Sequence, residues 1–373
     1  MQTRFKGMIL FLSFMTIFSG CSKLNNEHDS ALSTDIGKQQ EAMTNVTPAI
    51  YKTYEQQAEA IIGYSELYNL AVESQEGKRE NGMYVIPGLL STTTLENNQI
   101  KTIVECDSMT PQGVTMAGDY LLISSYCHEH KHNSVFYVLD KNTHQYIKTV
   151  VLKGYPHVGG ITYDPIAKNV WVCARHKDRA EIVAIPMDSI ENYELKNTLQ
   201  PIKYTQQVEL PQVKRASVIT YSNKNIYVGY FDSQSDGKLE QYPLDERGKM
   251  TGQLASEQVI HTTMDIDKSK TNETIVKELQ GITFVEDKLV VTQSYGAFKN
   301  SKLLLFNYDT NKKSFLDNDI EKVVDMPAHA EQVSASEGQI YAIFESAAKP
   351  YRENEKVWVD RVLRIDTKKL LQE

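Results

Sequence analysis

Gln112-Gly113-Val114-Thr115, then Tyr120-Leu121-Leu122-Ile123-Ser124-Ser125-Tyr126, then Ser134-Val135-Phe136-Tyr137-Val138-Leu139-Asp140 follow one another in this chain of 373 residues. Short apolar runs of this kind, parted by turn residues, read as strands. The same order returns as Gly160-Ile161-Thr162-Tyr163, Val170-Trp171-Val172 and Glu181-Ile182-Val183-Ala184-Ile185. It returns again as Ile219-Thr220-Tyr221 with Ile226-Tyr227-Val228-Gly229-Tyr230. The nearest copy of the first is Gln280-Gly281-Ile282-Thr283, Leu289-Val290-Val291-Thr292-Gln293-Ser294-Tyr295 and Ser301-Lys302-Leu303-Leu304-Leu305-Phe306. A fifth is Gln332-Val333-Ser334, Ile340-Tyr341-Ala342-Ile343-Phe344 and Arg361-Val362-Leu363-Arg364-Ile365-Asp366. Repeats of about 40–50 residues that each hold several short strands predict an all-β fold, a β-propeller.

A fourth strand precedes each triplet, at Lys101–Glu105, Ile147–Leu152, Thr205–Leu210, Ala255–His261 and Glu321–Asp325. Five outer strands and five triplets make a five-bladed ring. The last triplet then lacks an outer strand, and Lys101–Glu105 lacks a triplet. Pairing these N- and C-terminal strands closes the ring and removes a sheet edge. Met83–Pro87 is a further strand that leaves six blades open as an alternative. Tyr51–Glu73 has helical composition, with Tyr54, Ala58, Ile61, Ile62, Leu67, Leu70 and Ala71 as a partial apolar stripe; it predicts one helix, on the outside of the ring or as a spacer. The Asp-, Lys-, Asn- and Thr-rich insert Thr262–Glu278 reads as a surface loop.

The first twenty residues read as an address. Arg4 and Lys6 precede an apolar run, Met8 to Phe18, too short for a mature membrane span. Phe18-Ser19-Gly20-Cys21 resembles a bacterial lipobox, which implies lipidation of Cys21 and an extracytoplasmic protein held to a membrane by acyl chains. Residues 21–50 are polar and read as a tether, residues 51–80 hold the helix, and 82–373 form the propeller. A formal net charge of -8 argues against nucleic acid as a partner. With Cys21 lipidated, Cys106, Cys127 and Cys173 remain, so at most one disulfide forms among them.

In a propeller, the loop entering each innermost strand and the hairpin between the second and third strands open on one face. Gln112, His157, Arg215, Gln280, His329 and Glu331 enter the inner strands. Tyr126 to His132, Arg175, Phe231-Asp232, Tyr295 and Glu345 sit at the hairpins. Convergent polar groups in a concavity are the default site, so Gln112, Tyr126, His157, Arg175, Gln280, Tyr295, His329 and Glu345 are the ligand-binding candidates. Gln112 and Gln280 serve either a ligand or the backbone of a neighbouring blade. Glu345 ends a very apolar strand, where a carboxylate needs a partner or water; Arg175 and Arg352 are the available cations. His128, His130 and His132 alternate and would project on one side of an extended strand, as metal ligands do; the tract is otherwise an exposed loop. No nucleophile elbow, P-loop, HExxH or dinucleotide fingerprint is present.

Blades with Gln-Gly before an apolar inner strand, and Ser-Tyr closing the second, resemble secreted bacterial propellers of the NHL and gluconolactonase-like kind. Pro111-Gln112-Gly113 to Asp140 also resembles the five-bladed plant-type glutaminyl cyclases. The second resemblance implies that Gln112, and by repetition Gln280, lies in a pocket. The first implies a divalent metal in the channel, with Glu345 or Glu331 among its ligands. Two functions follow as expectations. One is a lipid-anchored propeller that binds an unknown small molecule or extracytoplasmic protein at its channel mouth. The alternative is a hydrolase, lactonase or cyclotransferase with Glu345 or Glu331 as acid/base and His157 or His329 in support.

Overall fold

The computed structural model describes residues 50–75, 84–98, 102–177, 179–213, 215–230, 237–260, 278–297 and 299–372. The expected leader, Cys21, the tether, Phe231-Asp232 and residues 262–277 of the insert lie outside them. Five small antiparallel sheets form the ring. Apart from these stands a two-stranded hairpin, β1 (Thr92–Leu95) with β2 (Ile103–Cys106).

Blade I is β3 (Met109–Ala117), β4 (Tyr120–Cys127), β5 (Val135–Asp140) and β6 (Tyr146–Val151). Blade II is β7 (Ile161–Asp164), β8 (Asn169–His176), β9 (Arg179–Pro186) and β10 (Gln206–Glu209). Blade III is β11 (Val218–Ser222), β12 (Asn225–Gly229), β13 (Gly237–Pro243) and β14 (Ser256–Ile260). Blade IV is β15 (Leu279–Val285), β16 (Lys288–Gln293), β17 (Ser301–Asn307) and β19 (Ile320–Met326). Its short β18 (Ser314–Phe315) crosses to pair in parallel with β14 and buries Phe315. Blade V is β20 (Ala330–Ser336), β21 (Gln339–Phe344) and β22 (Leu363–Asp366). Each inner strand packs beside the next around the axis.

The threonine that recurs in the inner-strand motif stitches neighbouring blades. Thr162 accepts the Tyr221 amide at 2.9 Å, and Thr283 accepts the Ala335 amide at 3.0 Å. Gly113, Gly160 and Gly281 stand where the inner strands crowd each other; a Cβ on Gly281 would lie 2.7 Å from the Val333 nitrogen.

The ring does close by pairing an N-terminal strand with the last triplet, but the strand is not Lys101–Glu105. Tyr84 to Ile86 runs antiparallel to Asp360 to Val362, with Ile86 N–H donating to Asp360 C=O and Val362 N–H to Tyr84 C=O, both at 2.9 Å. Tyr84 and Ile86 are buried there. Ile103 to Glu105 is mostly solvent-facing, so it lacks the apolar groups that the seam must cover. Tyr84 to Ile86 therefore completes blade V, and the described part of the expected Met83–Pro87 strand founds no sixth blade.

The expected single helix is two, α1 (Tyr54–Ala60) and α2 (Ser65–Ala71). The break falls at the turn containing Gly63, which lowers the cost of leaving the helix. Ala58, Ile61, Leu67, Leu70 and Ala71 pack on blades IV and V, on the outside of the ring. Buried Gln57 fixes the approach: its oxygen accepts the Asp360 amide at 2.9 Å, and its nitrogen donates to Trp358 C=O at 3.2 Å. Cys106, Cys127 and Cys173 are buried free thiols. Cys127 and Cys173 sit in separate apolar clusters and do not pair.

Candidate functional site

The inner strands of blades I, IV and V each break register where the motif begins, between Pro111 and Gly113, Leu279 and Gly281, and Ala330 and Val333. A bulge re-aims the side chain it carries. Here it turns Gln112, Gln280 and Glu331 toward the axis. Aligned on the repeat, the five matching positions are Gln112, Gly159, Ser217, Gln280 and Glu331, and all five line one cavity of ≈160 Å³. His157, Arg215, Glu345 and Tyr351 complete the lining. The volume is that of roughly five waters, or one small solute.

Gln332, one residue beyond Glu331, sews the inner strands together. Its oxygen accepts the Val114 and Ile161 amides at 3.1 and 2.9 Å. Its nitrogen donates to the Ile161 and Ile219 carbonyls at 2.8 and 3.0 Å. One side chain from blade V thereby joins blades I, II and III.

The polar groups are ordered by their partners. Gln112 Nε2 donates to Glu345 Oε2 at 2.7 Å and to Pro111 C=O at 3.0 Å. Two acceptors on one side fix the amide orientation and leave the buried Oε1 of Gln112 with no partner among the described residues. His329 Nδ1 meets Glu345 Oε1 at 3.1 Å, and its Nε2 meets Glu355 Oε1 at 3.0 Å. A carboxyl group facing each ring nitrogen favours the imidazolium, in which both nitrogens donate. Burial pulls its pKa down, but the charges and hydrogen bonds of Glu345 and Glu355 outweigh this and raise it. Gln280 Nε2 donates to Glu331 Oε1 at 3.1 Å. Burial, and then the nearby Glu345 charge, push the Glu331 pKa well above its ordinary 4.5, which favours the protonated form.

The mouth is aromatic and basic. Tyr126 stacks on His157 with centroids 4.1 Å apart. Tyr351 packs on His329 at 4.6 Å and on His128 at 5.6 Å. Burial in the wall, then Arg215, His130 and His128, press the His157 pKa down to about 4. His157 is nonetheless solvent-exposed as a residue. Arg215 stands exposed at the rim.

The remaining candidates lie elsewhere. Arg175 is exposed and bonds the Lys177 carbonyl at its own hairpin tip. Tyr295 is half-buried under the Lys299 ammonium, 4.8 Å from the ring centre. Neither lines the cavity. Glu345 pairs with His329 and Gln112, not with Arg175 or Arg352. His128, His130 and His132 do not form an extended comb. The chain turns there, His130 adopts φ 56°, His128 and His130 face Tyr126, and His132 points back to Cys127. Sequence reasoning missed Gly159 and Ser217, which are too small to draw notice, and Glu355. Tyr351 stood in the one hairpin that departs from its repeat, a departure that was a usable signal.

The cavity's donors do not suit a divalent metal. Glu345 is already bonded by Gln112 and His329, Glu331 is bonded by Gln280, and the lining holds no Asp or Asn.

No protein-family model matches the chain, and no curated protein does. Among solved structures, it is similar to a chain of the nidogen/laminin complex, with TM-score 0.38, 12% identity, and 68% of this chain and 84% of that one covered. It is also similar to hydrazine synthase of Kuenenia stuttgartiensis, with TM-score 0.34 and 15% identity over 65% of this chain and 57% of that one. A third is the Dos1 propeller, with TM-score 0.34 and 11% identity over 73% of this chain and 62% of that one. The chain thus spans less than two thirds of the last two. The class is defined by the molecule's own five sheets: a five-bladed β-propeller with a closed seam.

Proposed function

We propose that this is a membrane-anchored, extracytoplasmic β-propeller that binds a small polar ligand in the cavity at its channel mouth. The observation that carries the reading is the buried, unpartnered Oε1 of Gln112 beside Glu345. An orphaned buried acceptor costs about 1–3 kcal/mol, and a ligand N–H would recover it. Arg215 at the rim favours an anionic group at the other end of the ligand, with His157 beside it as a neutral hydrogen-bonding ring. A donor-bearing head over an acidic floor and an anion at a basic rim describe a compact zwitterion, such as a free amino acid or a peptide terminus. Thermal-shift and calorimetric titration with a panel of amino acids and dipeptides tests this. Saturable binding that is lost in Glu345→Gln and weakened in Arg215→Ala supports it. Binding by none of the panel, or binding indifferent to both substitutions, refutes it. Anchoring rests on the lipobox resemblance; Cys21→Ser would move the protein out of the membrane fraction.

A second reading, a propeller hydrolase, lactonase or cyclotransferase, is favoured by one feature. Glu331, its pKa raised by burial and then by Glu345, lines the same cavity as that second carboxyl group, a pairing of the kind that acid/base catalysis uses. Assays on glutaminyl peptides and on lactones decide it. Turnover abolished by both Glu331→Gln and Glu345→Gln supports this reading, and absence of turnover leaves only the binding function.

A further inference from the structure

The hairpin β1–β2 meets blade I at a cluster that the cavity does not use. Cys106 ends β2, Cys127 ends β4, and His132 lies in the loop that follows β4. Their two sulfurs and one ring nitrogen all lie within 4.8 Å of one another. Cys127 Sγ is 3.5 Å from His132 Nδ1. Both cysteines are buried and His132 is half-buried.

We propose that Cys106, Cys127 and His132 form a binding site for a thiophilic metal ion, copper(I). An ion about 2.3 Å from each sulfur and about 2.0 Å from the nitrogen would hold the donors roughly 3.8–4.0 Å apart. The observed spacing reaches this by side-chain adjustments of under about 1 Å. Thiolates are soft donors that suit copper(I) and zinc, and imidazole suits both ions. The cluster offers three donors among the described residues, a number that copper(I) accepts and that falls short of the four a structural zinc takes. A disulfide between Cys106 and Cys127 would use the sulfurs alone and give the Cys127-facing nitrogen of His132 no role. Binding forms two S–Cu bonds and one N–Cu bond as the two thiols release their protons to water.

The ion would tie β2 to both ends of the loop between Cys127 and His132. That loop carries His128 and His130, which pack against Tyr126 in the cavity wall. Occupancy of the metal site would therefore stiffen one side of the cavity mouth.

The test is titration of the reduced full-length protein with copper(I) against a chromophoric copper(I) chelator. One equivalent should bind. Cys127→Ser should weaken it by more than about a hundredfold, and His132→Ala by about ten- to a hundredfold. Lys131→Ala, in the same loop but exposed, should leave it unchanged. Because His132 is half-buried, its replacement keeps the fold, which circular dichroism checks. Affinity indifferent to His132→Ala and Cys127→Ser overturns the site. So does a Cys106–Cys127 disulfide in peptides from the protein as isolated, alkylated without reduction.

Discussion

Gln332→Met removes the four hydrogen bonds that bind blade V to blades I, II and III while nearly conserving volume. The bonds run to Val114 N, Ile161 N, Ile161 O and Ile219 O, at 2.8–3.1 Å. Gln332 is 1% exposed, so water does not readily replace it. Each buried backbone group left without a partner costs about 1–3 kcal/mol. The four are neighbours and not independent, so the low end applies, about 4 kcal/mol in total. For a domain of this size, that corresponds to a fall in melting temperature of roughly 8 °C. Urea unfolding followed by circular dichroism should show a lower midpoint with an unchanged m-value. A melting temperature within about 2 °C of wild type would show that the inner strands hold together without this residue, and the account of the ring's centre would fail.

Two further outcomes follow from the same geometry. Glu331 has its pKa raised above the ordinary 4.5, so the folded state keeps a proton that the unfolded chain has lost. Its contribution to stability is intact below pH 4.5 and declines as pH rises through the folded pKa; Glu331→Gln, which cannot titrate, should gain on wild type between pH 4.5 and neutrality in urea unfolding, and a constant difference across that range would contradict the assignment. Gly281→Ala sets a Cβ 2.7 Å from the Val333 nitrogen and 2.8 Å from the Gln332 Cα, a backbone clash worth about 2 kcal/mol, whereas Gly63→Ala meets nothing within 4 Å and should be neutral or stabilise by about 0.4–1 kcal/mol; equal melting points for the two variants would discount the crowding of the inner strands.

The blades were legible because each strand triplet is written into the chain five times. Gln112 and Gln280 were legible for the same reason, since a polar residue repeated before an apolar strand is a positional signal. Glu331 and Gln332 show the limit. The bulge in blade V passes over two residues, so the sequence does not say which side chain enters the cavity and which sews the strands. Arg175 illustrates a second limit. Being at a hairpin tip puts a residue on the correct face, but not within reach of the axis. The closing strand was misassigned because Lys101–Glu105 and Met83–Pro87 read alike as short strands. Only the buried environment of Tyr84 and Ile86 distinguishes them, and that environment is built by residues near the other end of the chain.

The seam between Val85 and Arg361 joins a residue made before blade I to one made after blades I to IV. Blades I to IV have all their strands before Asp360 is added, yet the ring stays a horseshoe with an open flank until then. Contacts that span so much of the chain form late and slowly. Nascent chains stalled before Asp360 would carry a bare strand edge and an unclasped α1, which makes the stretch of translation leading up to Asp360 the interval in which this protein most needs protection from its own neighbours.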